Sequence, residues 1–212
     1  MNIAFLTPEY PHPNIGRSGG IGSSIKYLAR ALNERGHIVT VLLYQQPVEE
    51  VIDDSGVIIR RIKNVKFKGL SWWLTRKKLE RIIDGFHESG EIDIVEAPDW
   101  TGITSFIRPQ KCPVNIRLNG SDTYFCHIEA RPSKWINRFH ERRALRKANG
   151  IISVSEFTGK TTQNIFNLPL NYRVIHNGID VHEFTPDHKG VKKTRILYFG
   201  TLIRKKGVLE LP

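Results

Sequence analysis

Short apolar runs alternate along the chain with segments whose apolar residues recur at helical spacing. The runs are rich in β-branched residues, which is typical of buried strands. They predict strands over residues 2–7, 37–44, 56–62, 93–100, 113–118, 150–155, 173–179 and 194–200. Helical spacing predicts helices over residues 21–32, 72–86 and 134–148, and Gly36 stands where a helix-ending glycine is expected.

Strands that alternate with helices across short turns predict an α/β fold with a mainly parallel sheet and helices on both faces. Ligands of such sheets bind beyond the carboxyl ends of the strands. The polar positions at these ends are therefore the first candidates for a functional site: Glu9, Tyr10, Glu96, Asp99, Trp100, Asn119, Asp122, Ser155 and the glycine-rich segment 17–24.

The composition changes at residues 185–194, which are polar, basic and contain Pro and Gly, as linkers do. We therefore expect one α/β domain over residues 1–185. Residues 186–212 are expected to be a linker and the first strand of a second domain that is cut short.

Three glycines, Gly19, Gly20 and Gly22, precede the first helix. Glycines let a backbone approach a ligand closely, and a helix N-terminus favours negative charge. The dinucleotide-binding fingerprint is not met, because Ser23 to Ile25 offer no third small residue at the right spacing and no acidic residue follows the second strand. The Walker spacing is absent as well. A phosphate-binding loop and a plain turn with a serine cap at Ser23 or Ser24 both stay open.

The net charge of +11 is unevenly spread, since no acidic residue lies between Ser55 and Leu79. Such a field attracts nucleic acid, acidic lipid headgroups or phosphorylated substrates. Residues 66–78 mix aromatic and basic side chains, which predicts either a membrane-interface segment or a helix with its tryptophans in the core. Lys134, Arg138, Arg142 and Arg146 share one helix face, either solvated or in contact with anionic groups.

A basic nucleic-acid-binding module is the alternative from another class, but no helix-turn-helix, zinc or RNA-binding signature supports it. Cys112 and Cys126 form no disulfide framework, and residues 1–10 have no basic leader. We expect a cytoplasmic protein, with peripheral attachment at the inner face of the membrane as an option, and no nucleic-acid partner.

Four segments together resemble the retaining glycosyltransferases of family 4, which have the GT-B fold. They are the first strand with "GGIGSS", then "EAPDW", then "LRKANGIISVS" with "VIHNGID", and finally "ILYFGTLIRKKGV". The resemblance implies two Rossmann-like domains that face each other across a cleft. The N-terminal domain binds a saccharide or glycolipid acceptor, and the C-terminal domain binds a nucleotide-sugar donor without a metal ion or other cofactor.

The resemblance also assigns roles to individual residues. Gly19, Gly20 and Gly22 would face the donor diphosphate together with Arg204 and Lys206. The backbone of Asn119 would serve catalysis. Acceptor binding would fall to residues at the strand ends: Glu96, Asp99, Trp100, Arg117 and Asp122. For Arg117 a structural ion pair with Glu96 or Asp99 is equally open, and for Trp100 packing in the core.

The sequence departs from the family pattern at two positions. Thr201 stands where family members carry an arginine, so Arg204 or Lys205 is expected to substitute, and Asn119 stands where many members have a histidine. The family's two-glutamate motif would follow the end of this chain, so we expect residues 1–212 to be inactive by themselves. The resemblance thus implies a hexosyltransferase of polysaccharide biosynthesis. The nearest alternatives are other GT-B enzymes, namely a nucleotide-sugar epimerase or a phosphorylase.

Overall fold

The computed structural model describes residues 1–16, 18–107 and 111–181, with the isolated positions 183, 194, 197, 198 and 208. The strands are β1 (Asn2–Thr7), β2 (Ile38–Gln46), β3 (Glu50–Asp54), β4 (Val57–Lys63), β5 (Ile94–Pro98), β6 (Val114–Leu118), β7 (Gly150–Ser153) and β8 (Tyr172–Val174). The helices are α1 (Gly20–Glu34), α2 (Ser71–Glu88), α3 (Asp122–Ile128), α4 (Trp135–Lys147) and α5 (Glu156–Phe166), with a 3-10 helix over Trp100–Phe106.

The eight strands form one sheet in the order β3-β4-β2-β1-β5-β6-β7-β8. Every neighbouring pair is parallel except β3 and β4, which pair in antiparallel register. The predicted α/β class with a mainly parallel sheet is confirmed. The order in which the strands are added switches sides at β1, because β2 lies on one side of it and β5 on the other. Parallel sheets bind ligands at such a switch point.

Alternate residues of the strands face two layers of helices. Phe5, Val41 and Leu43 pack with Ile25 and Ala29 of α1 on one face. On the other face Leu6, Leu42 and Tyr44 pack with Leu79 and Ile83 of α2, while β6 packs against α3, α4 and α5. This division follows from right-handed crossovers, because the chain moves one way along the sheet after β1 and the other way after β4.

Four elements escaped prediction from the sequence: β3, the 3-10 helix, α3 and α5. β3 reads "EVIDD" and is largely exposed, because it is an edge strand held by antiparallel pairing to β4. α5 reads "EFTGKTTQNIF", in which threonines and a glycine obscure the helical pattern. Its serine cap, Ser155, accepts a hydrogen bond from the backbone N–H of Thr158 at 3.0 Å. The predicted strand at 194–200 and the domain boundary at 185 fall mainly outside the described residues.

Candidate functional site

A cleft of about 720 Å³ lies beyond the carboxyl ends of β1, β5 and β6. It is lined by residues from separate parts of the chain, among them Glu9, Gly20, Trp100, Asn119, Phe125 and Asn177. The strand order places these residues together, because β1, β5 and β6 are consecutive in the sheet. The structure therefore brings the glycine-rich segment, Trp100 and Asn119 to one site.

Glu9 holds the glycine-rich segment against the end of β1. Its Oε2 accepts a hydrogen bond from the backbone N–H of Gly19 at 2.9 Å, and its Oε1 accepts one from Gly22 at 3.0 Å. Thr7 fixes the backbone of Glu9 in turn, since its hydroxyl donates to the Glu9 carbonyl at 2.9 Å. A carboxylate thus occupies two amide groups at the N-terminus of α1, where the helix dipole favours negative charge.

The serine cap of α1, one of the two alternatives that the sequence left open, is not what the structure contains. Gly19 is the N-cap residue and no side chain caps the helix. The hydroxyl of Ser23 instead donates to the Gly19 carbonyl at 3.1 Å, which is a bond to the preceding turn. The Glu9 carboxylate takes the place that a capping hydroxyl would have.

Gly22 is buried and has no room for a side chain. A Cβ atom there would lie 2.1 Å from the Ser18 Oγ and 2.9 Å from the backbone oxygen of Glu9. At Gly20, by contrast, an added Cβ would meet no atom within 4 Å. The two glycines therefore differ: Gly22 is needed for packing, whereas Gly20 borders open space in the cleft.

Asp99 shapes the loop that follows β6. It is only 3% exposed, and its two carboxylate oxygens accept hydrogen bonds from the backbone N–H groups of Asn119 and Gly120 at 3.1 and 3.2 Å. Burial raises its pKa to about 7, while these two N–H donors oppose the shift. The buried side chain acts on the cleft through the backbone of Asn119.

A second buried carboxylate, Glu141 of α4, holds the start of α3. It accepts hydrogen bonds from the Ser121 hydroxyl at 3.1 Å and from the backbone N–H of Asp122 at 3.1 Å. Burial raises the pKa of Glu141 above its ordinary value. Asp122 itself accepts a hydrogen bond from the Asn137 side chain at 2.8 Å. This residue, which was expected to bind the acceptor substrate, therefore has a partner at the α3–α4 junction.

Trp100 forms one wall of the cleft and is half-buried. It begins the 3-10 helix, in which Thr101 and Gly102 adopt the left-handed conformation with φ of 50° and 57°. A Cβ atom on Gly102 would lie 2.3 Å from the backbone carbon of His140. The turn that follows Trp100 therefore packs directly against the backbone of α4.

Glu96 and Arg117 form an ion pair between neighbouring strands. The Arg117 Nε lies 2.7 Å from Glu96 Oε1, and an Nη donates to Oε2 at 3.1 Å. Arg117 also donates to the Ile175 carbonyl after β8. Neither side chain is among the described residues that line the cleft. The structural ion pair, one of the two alternatives from the sequence, is what the structure contains.

Tyr10 also has a structural place. Its hydroxyl donates to Asp54 of β3 at 2.9 Å, and Lys26 of α1 lies 3.1 Å from the same carboxylate. The hydrogen bonds and charges around Asp54 lower its pKa against the effect of burial.

The segment after β8 reaches both the cleft and α1. Asn177 lines the cleft, and its Nδ2 lies 3.4 Å from the Asn119 Oδ1. Farther along, Glu183 accepts a hydrogen bond from the Tyr27 hydroxyl at 2.7 Å. Of the predicted donor-binding residues, Arg204 and Lys206 lie outside the described residues. Within the described ranges no three His, Cys, Asp or Glu side chains form a group that could hold a metal ion.

Comparison with known proteins gives a family match. The family model described as Glycosyltransferase Family 4 matches residues 18–183. A curated protein described as an uncharacterized glycosyltransferase, MJ1607 of Methanocaldococcus jannaschii, is 25% identical over 98% of this chain and 57% of its own length. The chain therefore spans little more than half of that relative.

Solved structures share the fold. Sucrose-phosphate synthase from Thermosynechococcus elongatus superposes with a TM-score of 0.66 at 15% identity, over 88% of this chain and 51% of that protein. Anabaena Alr3699/HepE in complex with UDP gives a TM-score of 0.56 at 15% identity, over 89% and 47% of the two chains. The fold is therefore that of one half of these glycosyltransferases.

Proposed function

Because the chain belongs to glycosyltransferase family 4, we propose that it is the acceptor-binding half of a retaining enzyme. Such an enzyme transfers a sugar from a nucleotide-sugar donor to a saccharide or glycolipid acceptor. The observation that carries this proposal is the single cleft that joins the N-terminus of α1, Trp100 and Asn119 at the carboxyl ends of parallel strands. Residues 1–185 form this half, and residues 186–212 begin the donor-binding half.

The donor would approach the cleft at the N-terminus of α1. Support for a nucleotide sugar comes from the Anabaena relative, whose structures include complexes with UDP and with UDP-glucose. The diphosphate would lie beside Gly20, with Arg204 and Lys206 supplying positive charge in place of a metal ion. The amides of Gly19 and Gly22 already donate to Glu9, so of the three glycines only Gly20, which lines the cleft, would contact the diphosphate.

Asn119 would act through its backbone carbonyl. In a retaining transfer the bond to the leaving diphosphate weakens while positive charge grows on the anomeric carbon. An oriented carbonyl dipole stabilises such charge without reorganising during the reaction. The buried Asp99 holds the N–H groups of Asn119 and Gly120. We therefore assign Asp99 a positioning role instead of direct acceptor contact.

The acceptor would lie on the aromatic side of the cleft. Trp100 and Phe125 offer flat apolar surfaces to a sugar ring, and the amides of Asn119 and Asn177 offer donors and acceptors for hydroxyl groups. Glu96 and Arg117 stabilise the strands beneath the cleft, and Asp122 stabilises the α3–α4 junction. A saccharide stacked on Trp100 would present one hydroxyl towards Asn119.

We place the enzyme in the cytoplasm, in polysaccharide biosynthesis. Both cysteines are buried free thiols, which suits a reducing compartment. Within the described part of the chain no helix is long and apolar enough to cross a bilayer. We expect the acceptor-binding half by itself to bind acceptor without transferring sugar, because the donor site belongs to the other half.

The test uses the protein from the complete open reading frame with a panel of UDP-, ADP- and GDP-hexoses and soluble oligosaccharides. Products are identified by mass spectrometry, and the new linkage is assigned by NMR. We expect retention of configuration. The KM for the acceptor should be at least about fivefold higher in Trp100→Ala, since a stacked ring contributes on the order of 1–3 kcal/mol and about 1.4 kcal/mol is a factor of ten. Trp135→Ala, which changes a tryptophan outside the cleft, should leave KM unchanged.

Three results would oppose the proposal. Hexose 1-phosphate released from oligosaccharide by inorganic phosphate would identify a phosphorylase. Isomerised nucleotide sugar would identify an epimerase. Equal acceptor KM in Trp100→Ala and the wild type would remove the cleft as the acceptor site.

A further inference from the structure

Large apolar side chains are exposed together on a surface outside the cleft. We call it the aromatic–basic surface and define its apolar part by five exposed residues, Phe67, Leu70, Trp72, Trp135 and Phe139, with the half-buried Phe106 between them. Exposure reaches 76% for Trp135, 58% for Phe67, 47% for Phe139 and 46% for Trp72. Clustered exposure of this kind is uncommon on a monomeric protein and marks interaction surfaces.

The fold assembles this surface from distant parts of the sequence. The rings of Trp72 at the start of α2 and Phe106 at the end of the 3-10 helix are 5.6 Å apart, and those of Phe106 and Phe139 are 6.5 Å apart. Trp135 lies one helical turn before Phe139 on α4. The apolar part is therefore continuous from α2 to α4.

Basic side chains border the apolar part, and α4 itself carries no exposed carboxylate. Lys66 and Lys68 flank Phe67 and are exposed, and Arg146 and Lys147 are exposed at the end of α4. The only carboxylate of α4, Glu141, is 1% exposed and bonded to the start of α3. The surface thus pairs exposed aromatic rings with positive charge.

Two arginines of α4 have structural partners as well. Arg143 stacks on the Phe106 ring at 4.5 Å and donates to the Ser105 carbonyl, and Arg142 donates to the Phe166 carbonyl at the end of α5. Such contacts hold the arginines along the rim while their charge remains at the surface. Together with Phe139, Arg146 and Lys147 they line a shallow depression of about 440 Å³.

We infer that the aromatic–basic surface docks on a bilayer that contains anionic lipids. Aromatic rings on an amphipathic surface enter the headgroup region, and nearby Lys and Arg side chains attract the phosphates. A second copy of the chain is a poor occupant, because two such surfaces would bring like charges together. A bilayer with anionic lipids offers both an apolar region that the rings can enter and negative charge that attracts the lysines.

Docking would also orient the cleft. α2 follows β4 and α3–α4 follow β6, so Trp72 and Trp135 lie at the carboxyl edge of the sheet, as the cleft does. Arg146 and Lys147 lie at the other end of α4, just before β7, so the bilayer would run along the side of α4 and reach the cleft edge at Trp72 and Trp135, where a lipid-linked acceptor could enter beside Trp100. This orientation rests on the proposed function, whereas lipid binding itself does not, and the two are measured separately.

The experiment is flotation of the full chain with vesicles of phosphatidylcholine alone or with 30% phosphatidylglycerol, in a measurement that needs no turnover. We expect the chain to float with the anionic vesicles at low salt and to be released at high salt. Arg146→Gln combined with Lys147→Gln should weaken partitioning roughly tenfold, since each basic residue near such a surface contributes a several-fold effect. Trp135→Ala with Phe139→Ala should weaken it as well.

The matched control is Arg35→Gln combined with Lys160→Gln, which makes the same charge change on exposed residues of other elements. Circular dichroism checks that every variant is folded. The inference is overturned if the control weakens binding as much as the surface variants do, or if neutral vesicles bind equally well. It is also overturned if RNA binds this surface in place of vesicles, or if the chain dimerises through it and leaves vesicles unbound.

Discussion

The Oε1 atom of Glu9 lies 3.0 Å from the backbone nitrogen of Gly22, and the backbone oxygen of Glu9 would lie 2.9 Å from any Cβ added at Gly22. The same residue therefore both bonds this glycine and excludes a side chain from it. Glu9 thus joins the end of β1 to the first turn of α1, which is where the proposed donor would meet the acceptor domain.

Gly22→Ala should destabilise the protein by about 1–3 kcal/mol, because the methyl group must displace Ser18 or the backbone of Glu9 in a packed turn. Gly20→Ala is the matched control, since a Cβ at Gly20 meets no atom within 4 Å. Urea unfolding of both variants measures the difference. Equal stabilities for the two would show that the turn adjusts freely.

Glu9→Gln should loosen the glycine-rich segment. The amide keeps one oxygen acceptor but turns an N–H₂ group towards a backbone N–H, so one charge-assisted hydrogen bond is lost at a cost of about 1–3 kcal/mol. Hydrogen exchange should speed up at the amides of Gly19 and Gly22. Glu34→Gln, at the exposed far end of α1, should leave both amides protected.

Gly102→Ala should be among the most harmful single substitutions, with a loss of about 3 kcal/mol or more. The residue has φ of 57°, and a Cβ would lie 2.5 Å or less from backbone atoms of His140 and Glu141. Gly90 also has positive φ, 77°, but faces open space. Gly90→Ala should therefore cost only the backbone strain, about 1 kcal/mol, and thermal unfolding of the pair isolates the steric part.

Asp99 should make stability depend on pH. Burial raises its pKa to about 7 from an ordinary 3.8, so the folded protein holds a proton on this group that the unfolded chain releases. The resulting stabilisation is complete below about pH 4 and is lost as pH rises through about 7. The free energy of unfolding should thus decrease more between pH 5 and pH 8 in the wild type than in Asp99→Asn. A parallel decline in both proteins would assign the effect to other groups.

The sheet could be predicted from the sequence because its strands are buried on both faces and read as continuous apolar runs, as residues 38–44 do. The gathering of Trp100 and Asn119 near Gly20 follows from the same sheet, since parallel strands end at one edge. β3 was missed because an exposed edge strand keeps polar residues such as Asp53. α3 was missed because its start depends on Glu141, a residue from another helix.

The hydrogen bonds by which Glu9 and Asp99 hold the loops of the site could not be predicted from the sequence either. Glu9 was one of several polar residues at strand ends, and nothing in its neighbours indicates that its carboxylate reaches Gly22, thirteen positions away. Asp99 resembled a surface ligand from its place after a strand, yet it is buried beneath Asn119. Both depend on tertiary contacts between loops, and such contacts leave no periodic signal.

The Glu96–Arg117 pair offers a test that separates stability from recognition. Both side chains are largely buried, with 14% and 9% of their surface exposed. Arg117→Met alone leaves a buried carboxylate without its partner and should destabilise the protein by about 3 kcal/mol. Glu96→Leu alone leaves a buried guanidinium without its partner and should cost about as much. The double variant should lose much less than the sum of the two, because no buried charge is left uncompensated.

Oligosaccharide affinity of the folded double variant then decides the role of the pair. We expect an unchanged dissociation constant, measured by calorimetry at a temperature where every variant is folded, because neither residue is among those that line the cleft. A tenfold loss of affinity in the double variant, with the fold intact, would return Glu96 or Arg117 to the acceptor site. Trp100→Ala in the same experiment is the positive control, since its ring is part of the cleft wall and its removal should weaken oligosaccharide binding.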